Sequence, residues 1–163
     1  MNYLELDKLG RVRLSDNFFF REFLHSEVAS YFGICNYPVY PDKAIETGQK
    51  LCAEVLEPLQ KKLGRIHVRS GYRSPELNAL CHEKGLGCRS NENNYGRHIW
   101  DFKDAEGRAG AMACIVIPRL TLKPSSMSSP EKLKWWVFEN LPVSELVFFK
   151  MPGCFNIGWR SNI

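Results

Sequence analysis

The sequence predicts an α+β fold in which helices cover one face of a small antiparallel sheet. Amphipathic helical patterns fill the first half of the chain, and short apolar runs bounded by turn residues gather in the second half. The length of 163 residues and the hydrophobic content of 44% are typical of one globular domain with one core. We therefore expect a single domain over residues 1–163.

Two helical patterns stand in the first half of the chain. Leu14–Asn17 has the polar residues of a helix cap, and the apolar Phe18–Leu24 follows it, so we expect a helix to begin there. From Lys43 to Leu63 apolar residues recur mostly every three or four positions, which predicts a long amphipathic helix. Pro58 predicts a kink in this helix, and Gly64 its end.

The second half carries the strand signals. The run Ala111–Ile117 is compatible with a buried strand or a helix start, which a short apolar run does not distinguish. The other expected elements, in chain order, are a strand at Ile66–Val68, a helix at Glu76–Lys84, a loop at Cys88–Gly96, a linker at Lys123–Pro130, a helix from Pro130, and strands at Leu146–Phe149 and Phe155–Trp159 joined by a turn at Met151–Gly153.

Charge, apolar runs and cysteine content indicate which kinds of binding partner and which cellular compartment to expect. A net charge of +4 suits a polyanionic surface, but Lys and Arg are spread along the chain, so a nucleic-acid interface is not expected. No run approaches the roughly 20 apolar residues of a membrane span, and Met1–Arg13 lacks the apolar core of a signal peptide. We expect no membrane partner and a protein that is cytoplasmic as synthesised. In that compartment the six cysteines are expected to be free thiols.

The segment Ser70–Pro75 is the first candidate for a functional site. Gly71 permits a tight turn, and Pro75 stiffens the start of the next helix. Arg73 would then project from a rigid loop with a planar fork suited to a carboxylate or phosphate. The alternative is that Arg73 pairs with an internal acid such as Glu76 or Asp101.

A second candidate is the pair His98 and Asp101. An imidazole nitrogen and a carboxylate oxygen both suit zinc, although a catalytic zinc usually has three protein ligands and an open position for water. Taken alone, His98 fits a structural histidine that pairs with Asp101. Cys81, His82 and Cys88 form another candidate metal cluster, but they lack the cysteine spacing that structural zinc sites favour.

Several segments together resemble the zinc D-Ala-D-Ala carboxypeptidase family, whose members cleave peptidoglycan stem peptides and include phage endolysins. The resemblance covers residues 14 to 159 and implies a hedgehog/DD-peptidase-like fold. Its most specific part is the motif Ser-Gly-Tyr-Arg-Ser-Pro with the Leu-Asn that follows. The segments that carry it are Leu14–Phe18 with Arg21–Phe23, Leu51–Leu59, and Ile66–Asn78.

The resemblance also implies where zinc ligands would stand. With Gly96 at the central glycine of the family's metal motif, Asn93 occupies the position of the first His, and Asp101 lies one residue beyond that of the Asp. Asn156 occupies the position of the second His, on the last strand. Lys150 stands where the family has an acidic general base. A rearranged site would therefore rest on His98 and Asp101.

Three functions are compatible with this pattern. The first is a zinc metallopeptidase in which His98 and Asp101 serve as metal and catalytic residues, while Arg73, Ser70 and Tyr72 hold a peptidoglycan peptide. The second is a catalytically inactive member that binds cell-wall peptide or serves as a phage structural module. The third is a module that binds a host protein. The family association implies release by phage lysis or carriage in a virion.

Overall fold

The computed structural model describes residues 3–151 and 153–162. Its sheet and helices confirm the α+β class. The helices and the short helical turns are α1 (Tyr3–Gly10), α2 (Arg21–Leu24), α3 (Glu27–Phe32), α4 (Pro41–Leu51), α5 (Glu57–Leu63), α6 (Pro75–Glu83), α7 (Asn91–Asn94), α8 (Arg119–Leu122), a 3₁₀ turn (Ser126–Ser128) and α9 (Pro130–Asn140). None of the described helices has the length and apolar character needed to cross a membrane.

The expected helix start at Leu14–Asn17 is wrong. Residues Arg13–Ser15 form strand β1, Phe18–Phe19 form β2, and the two pair as an antiparallel hairpin before α2 begins at Arg21. The polar residues that looked like a cap instead bind Glu57 across the fold. Its carboxylate accepts hydrogen bonds from Ser15 Oγ at 2.7 Å and from the backbone N–H of Asn17 at 2.7 Å.

The long helix predicted over Lys43–Leu63 is confirmed, with a specific irregularity. Helices α4 and α5 are joined without a break by a π-helical turn at Cys52–Leu56. Pro58 follows this turn. Because proline lacks an N–H and its ring crowds the preceding turn, a locally widened helix accommodates it.

The main sheet has four strands in the order β3-β4-β6-β5, and every neighbouring pair is antiparallel. This resolves Ala111–Ile117 as a strand and confirms the strands and helix expected near the C-terminal end. Pro152, in the expected turn, lies outside the described residues. The strands are β3 (His67–Ser70), β4 (Gly110–Val116), β5 (Glu145–Phe148) and β6 (Cys154–Arg160).

The two faces of the sheet differ in burial. Alternate residues of β4 and β6 belong to the hydrophobic core, together with the side chains of the α4–α5 helix: Ala111, Ala113, Ile115, Phe155 and Ile157. The intervening residues, which include Cys114 and Asn156, lie on the opposite face, called here the outer face. Since Cys114 is directly paired with Asn156 in the register, these two side chains are neighbours there.

Cysteine pairing differs from the expectation of free thiols. Cys81 and Cys88 form a disulfide that ties the end of α6 to the following loop. Cys35, Cys52, Cys114 and Cys154 are free. The free-thiol prediction is therefore wrong for one pair, whose partners are only seven residues apart and are brought together by the turn after α6.

Candidate functional site

The loop from Ser70 to Pro75 is held in place by hydrogen bonds to its backbone and by close packing against Gly71. Tyr72 donates its N–H to Phe23 O at 2.9 Å, and Arg73 donates its N–H to His98 O at 2.8 Å. A Cβ on Gly71 would lie 2.7 Å from Phe23 side-chain atoms, so only glycine fits this close approach. The loop is therefore fixed by contacts from two other parts of the chain.

Asn36 adds a second restraint on the loop. Its buried side chain donates to Tyr72 O at 2.9 Å and accepts from the N–H of Ser74 at 2.8 Å. Ser74 in turn caps α6 by accepting from the N–H of Leu77. Sequence reasoning missed Asn36, because one asparagine in an irregular connection carries no signal of a contact 36 residues away.

Arg73 has no acidic partner in the described part of the chain. Its Nη1 donates to the amide oxygen of Asn78 at 3.2 Å, and neither Glu76 nor Asp101 forms an ion pair with it. Burial lowers the pKa of the guanidinium to about 10. Removing an ion from water costs several kcal/mol unless an opposite charge compensates. The site therefore holds a desolvated cation at a groove, a natural place for an anion.

The buried carboxylate of Asp101 accepts hydrogen bonds at both of its oxygens. Its Oδ1 accepts the hydroxyl hydrogen of Tyr72 at 3.0 Å, and its Oδ2 accepts the N–H of Tyr40 at 3.0 Å. Burial, and next the charge and hydrogen bond of Asp101, raise the pKa of Tyr72 far above its usual value. Both side chains are thus used to join the loop to the neighbouring segments.

His98 is buried but does not pair with Asp101. Its Nδ1 lies 2.7 Å from Gly71 O, and since a carbonyl only accepts, Nδ1 carries the hydrogen. Its Nε2 makes no hydrogen bond within the described residues. Burial, followed by the positive charge of Arg73, lowers the pKa of His98 to about 3, which keeps the ring neutral.

The predicted ligands do not assemble a zinc site in the described part of the chain. No group of three or more His, Cys, Asp or Glu side chains converges there with the geometry of a metal site. Asn93 is exposed and donates to Ser90 Oγ at 3.0 Å. Both oxygens of Asp101 accept hydrogen bonds, from the hydroxyl of Tyr72 and from the N–H of Tyr40.

A groove of about 880 Å³ runs along the loop. Its walls come from α2 and α3, from β3 and the residues before it, and from the segment closed by the Cys81–Cys88 disulfide. Ser70, Tyr72 and Arg73 all line it, so the three predicted substrate-binding residues share one surface. His98, Asp101, Asn93 and Asn156 are not among its lining residues.

The groove carries charges of both signs. Arg65 and Arg69 extend the positive charge of Arg73 along one wall, while Glu22 and Glu27 stand on another. Sequence reasoning placed Arg69 in the candidate segment but did not single out Arg65, Glu22 or Glu27 as groove residues. The alternation of Arg65, His67 and Arg69 with Ile66 and Val68 marks one polar strand face and could have identified the two arginines.

Comparisons with models of known protein families, with curated protein sequences and with solved structures found no match to this chain.

Proposed function

We propose that this protein is a non-catalytic binding module that holds the free carboxylate of a short peptide in the groove. The observation that supports this most strongly is the guanidinium of Arg73, which is largely desolvated and has only the neutral Asn78 as its side-chain partner among the described residues. A carboxylate would compensate that charge, and the planar fork of arginine binds a carboxylate through two parallel hydrogen bonds.

The rigidity of the loop supports a binding role for Arg73. The backbone of Arg73 and its neighbours is fixed by Phe23, Asn36 and His98, so little conformational entropy is lost when a ligand binds. The backbone that carries Arg73 is therefore fixed before a ligand binds.

The opposite charges in the groove favour a zwitterionic peptide. With its carboxylate at Arg73 and near the field of Arg69, a peptide would bring its cationic groups toward Glu22 or Glu27. The resemblance to D-Ala-D-Ala carboxypeptidases makes the stem peptide of peptidoglycan the proposed ligand class.

The state of the candidate catalytic groups favours binding over hydrolysis. Asp101 is engaged by Tyr72 and Tyr40, and His98 donates to Gly71 in the interior. Lys150 stands at the position of the family's acidic general base, so that position supplies no carboxylate to take a proton from water.

Calorimetric titration with acetyl-L-Lys-D-Ala-D-Ala and with its C-terminal amide tests the proposal. The free acid is expected to bind and the amide to bind at least about tenfold more weakly, because a hydrogen bond to a charged group contributes about 1.5–3 kcal/mol. The Arg73→Gln variant should lose this preference. Lys132→Gln, which removes one exposed positive charge on α9, is the matched control and should bind as the wild type does.

Two results would overturn the proposal. Equal binding of acid and amide would show that the carboxylate is not recognised. Release of D-Ala from the peptide, followed by mass spectrometry with and without added zinc, would show that the module is catalytic.

A further inference from the structure

Two free cysteines lie beside each other where the outer face of the sheet meets the groove. Cys114 on β4 has its Sγ 4.0 Å from Sγ of Cys154 on β6, and both thiols are unpaired by disulfides. Cys154 is buried, whereas Cys114 is half-buried and lines the groove. The pair is therefore reachable through Cys114.

The strand register disfavours a disulfide between these cysteines. Cys114 is paired with Asn156, and Cys154 with Val116, so the two cysteines are diagonal neighbours. Diagonal Cα atoms on antiparallel strands are about 7–8 Å apart, beyond the 4.4–6.8 Å that most disulfides span. A disulfide would require the strands to shift, but an ion placed between the two sulfurs would not.

We propose that Cys114 and Cys154 form a two-thiolate site that binds the soft monovalent ion Cu(I). Sulfurs 4.0 Å apart can both reach one ion at a metal–sulfur distance close to the roughly 2.3 Å of zinc thiolates. Soft thiolate ligands favour soft metal ions, and Cu(I) is one of these. Zinc would need four ligands, and no third His, Cys, Asp or Glu completes a metal site with this pair in the described part of the chain.

The neighbouring side chains suit the charge of such a complex. Binding forms two sulfur–copper bonds and releases one proton from each thiol to solvent, with no change of oxidation state, so the bis-thiolate complex carries one net negative charge. Arg69 compensates it, since its Nη1 donates to Cys154 Sγ at 3.4 Å. Asn156 is paired with Cys114 in the strand register. Its Oδ1 is a buried acceptor without a hydrogen-bond partner in the described residues, so it favours a cation nearby.

Anaerobic titration of the purified full chain with Cu(I) tests the site, using a chromophoric chelator as competitor. No reductant is present, so that the Cys81–Cys88 disulfide stays intact. The wild type is expected to bind one Cu(I) per chain. Cys114→Ser and Cys154→Ser should each weaken binding by more than 100-fold, since loss of a ligand exceeds the 10–100-fold effect of losing an outer partner.

Cys35→Ser is the matched control, because Cys35 is a free, half-buried thiol outside the pair. It should bind Cu(I) as the wild type does. A second measurement on the wild type avoids any folding defect of the variants: bound Cu(I) should protect Cys114, but not Cys35, from alkylation with iodoacetamide. Unchanged binding after either substitution in the pair, or equal alkylation of Cys114 with and without Cu(I), would overturn the proposal.

Discussion

The hydroxyl of Tyr72 donates a hydrogen bond of 3.0 Å to Oδ1 of Asp101, in the interior of the protein. This contact joins two segments that the sequence marks as separate candidates for chemistry. Tyr72 is almost completely buried, and its ring packs edge-on against Trp100, the residue before Asp101. Two residues predicted to act on a substrate or a metal thus form a structural pair that positions the loop carrying Arg73.

We expect Tyr72→Phe to lower the free energy of unfolding by about 1–3 kcal/mol, because it leaves a buried carboxylate oxygen without its donor while preserving the ring. Urea denaturation measures the change. Tyr31→Phe, at a tyrosine that is 83% exposed, serves as the control and should have little effect. An unchanged denaturation midpoint for Tyr72→Phe would mean that the hydrogen bond is not part of the folded state.

The Gly71→Ala substitution is expected to destabilise the protein and weaken peptide binding together. The added methyl would meet Phe23 side-chain atoms at 2.7 Å, and forcing an extra methyl into a packed site costs about 1–3 kcal/mol. Thermal unfolding and titration with the free-acid peptide are the measurements. Gly33→Ala is a useful comparison, since its methyl would meet nothing within 4 Å and strains only a backbone with φ of 69°. Wild-type stability and affinity in Gly71→Ala would contradict the close packing of the loop.

His98 is expected to make the protein less stable as the pH falls. In the folded protein burial and Arg73 lower the pKa of His98 to about 3, whereas an unfolded histidine titrates near 6.5. The unfolded state therefore binds a proton that the folded state does not, and stability is lost progressively between about pH 6.5 and pH 3. The limiting slope is about 1.4 kcal/mol per pH unit for one proton.

Comparison of the wild type with His98→Asn isolates this contribution. The asparagine amide can still donate to Gly71 O but does not titrate. Its unfolding free energy, measured by denaturation across this pH range, should fall less steeply than that of the wild type. Parallel curves for the two proteins would show that His98 is not held neutral.

Glu57, like His98, is expected to contribute stability that is lost as the pH falls, but in a more acidic range. Burial alone would raise its pKa, but the hydrogen bonds from Ser15 and Asn17 outweigh burial and lower the pKa below its usual value. The stabilisation is present above the unfolded pKa and is lost as the pH falls through the lower folded pKa. Glu57→Gln should reduce stability by about 1 kcal/mol at neutral pH. The hydrogen bonds from Ser15 and Asn17 would then end on a neutral amide instead of a carboxylate, at a partly exposed site.

Denaturation at pH 7 and again in acid tests the role of Glu57. The difference between wild type and Glu57→Gln should shrink in acid, where the wild-type carboxylate is protonated. Glu139→Gln, at an exposed position of α9, should show no such pattern. A pH-independent difference would rule out the charge as the cause.

Regular elements were predicted best where a periodic pattern covered many residues. The pattern over Lys43–Leu63 needed only local spacing to indicate a helix, and the structure adds a π-turn at Cys52–Leu56, just before Pro58. The hairpin at Ser15–Phe19 was missed because Glu57, 40 residues from Asn17, provides the partner for the polar groups that looked like a helix cap. Local sequence does not encode that contact.

The sequence by itself determined the α+β class, the longer helices, the strands β3, β5 and β6, and the segment that presents Arg73. These follow from spacing and backbone preferences within short segments. Only the tertiary structure decided that Asp101 binds Tyr72, that His98 donates to Gly71, and that Arg73 lacks an acidic partner in the described part of the chain. Those outcomes depend on which side chains meet across the fold and how deeply they are buried, and distance along the chain specifies neither.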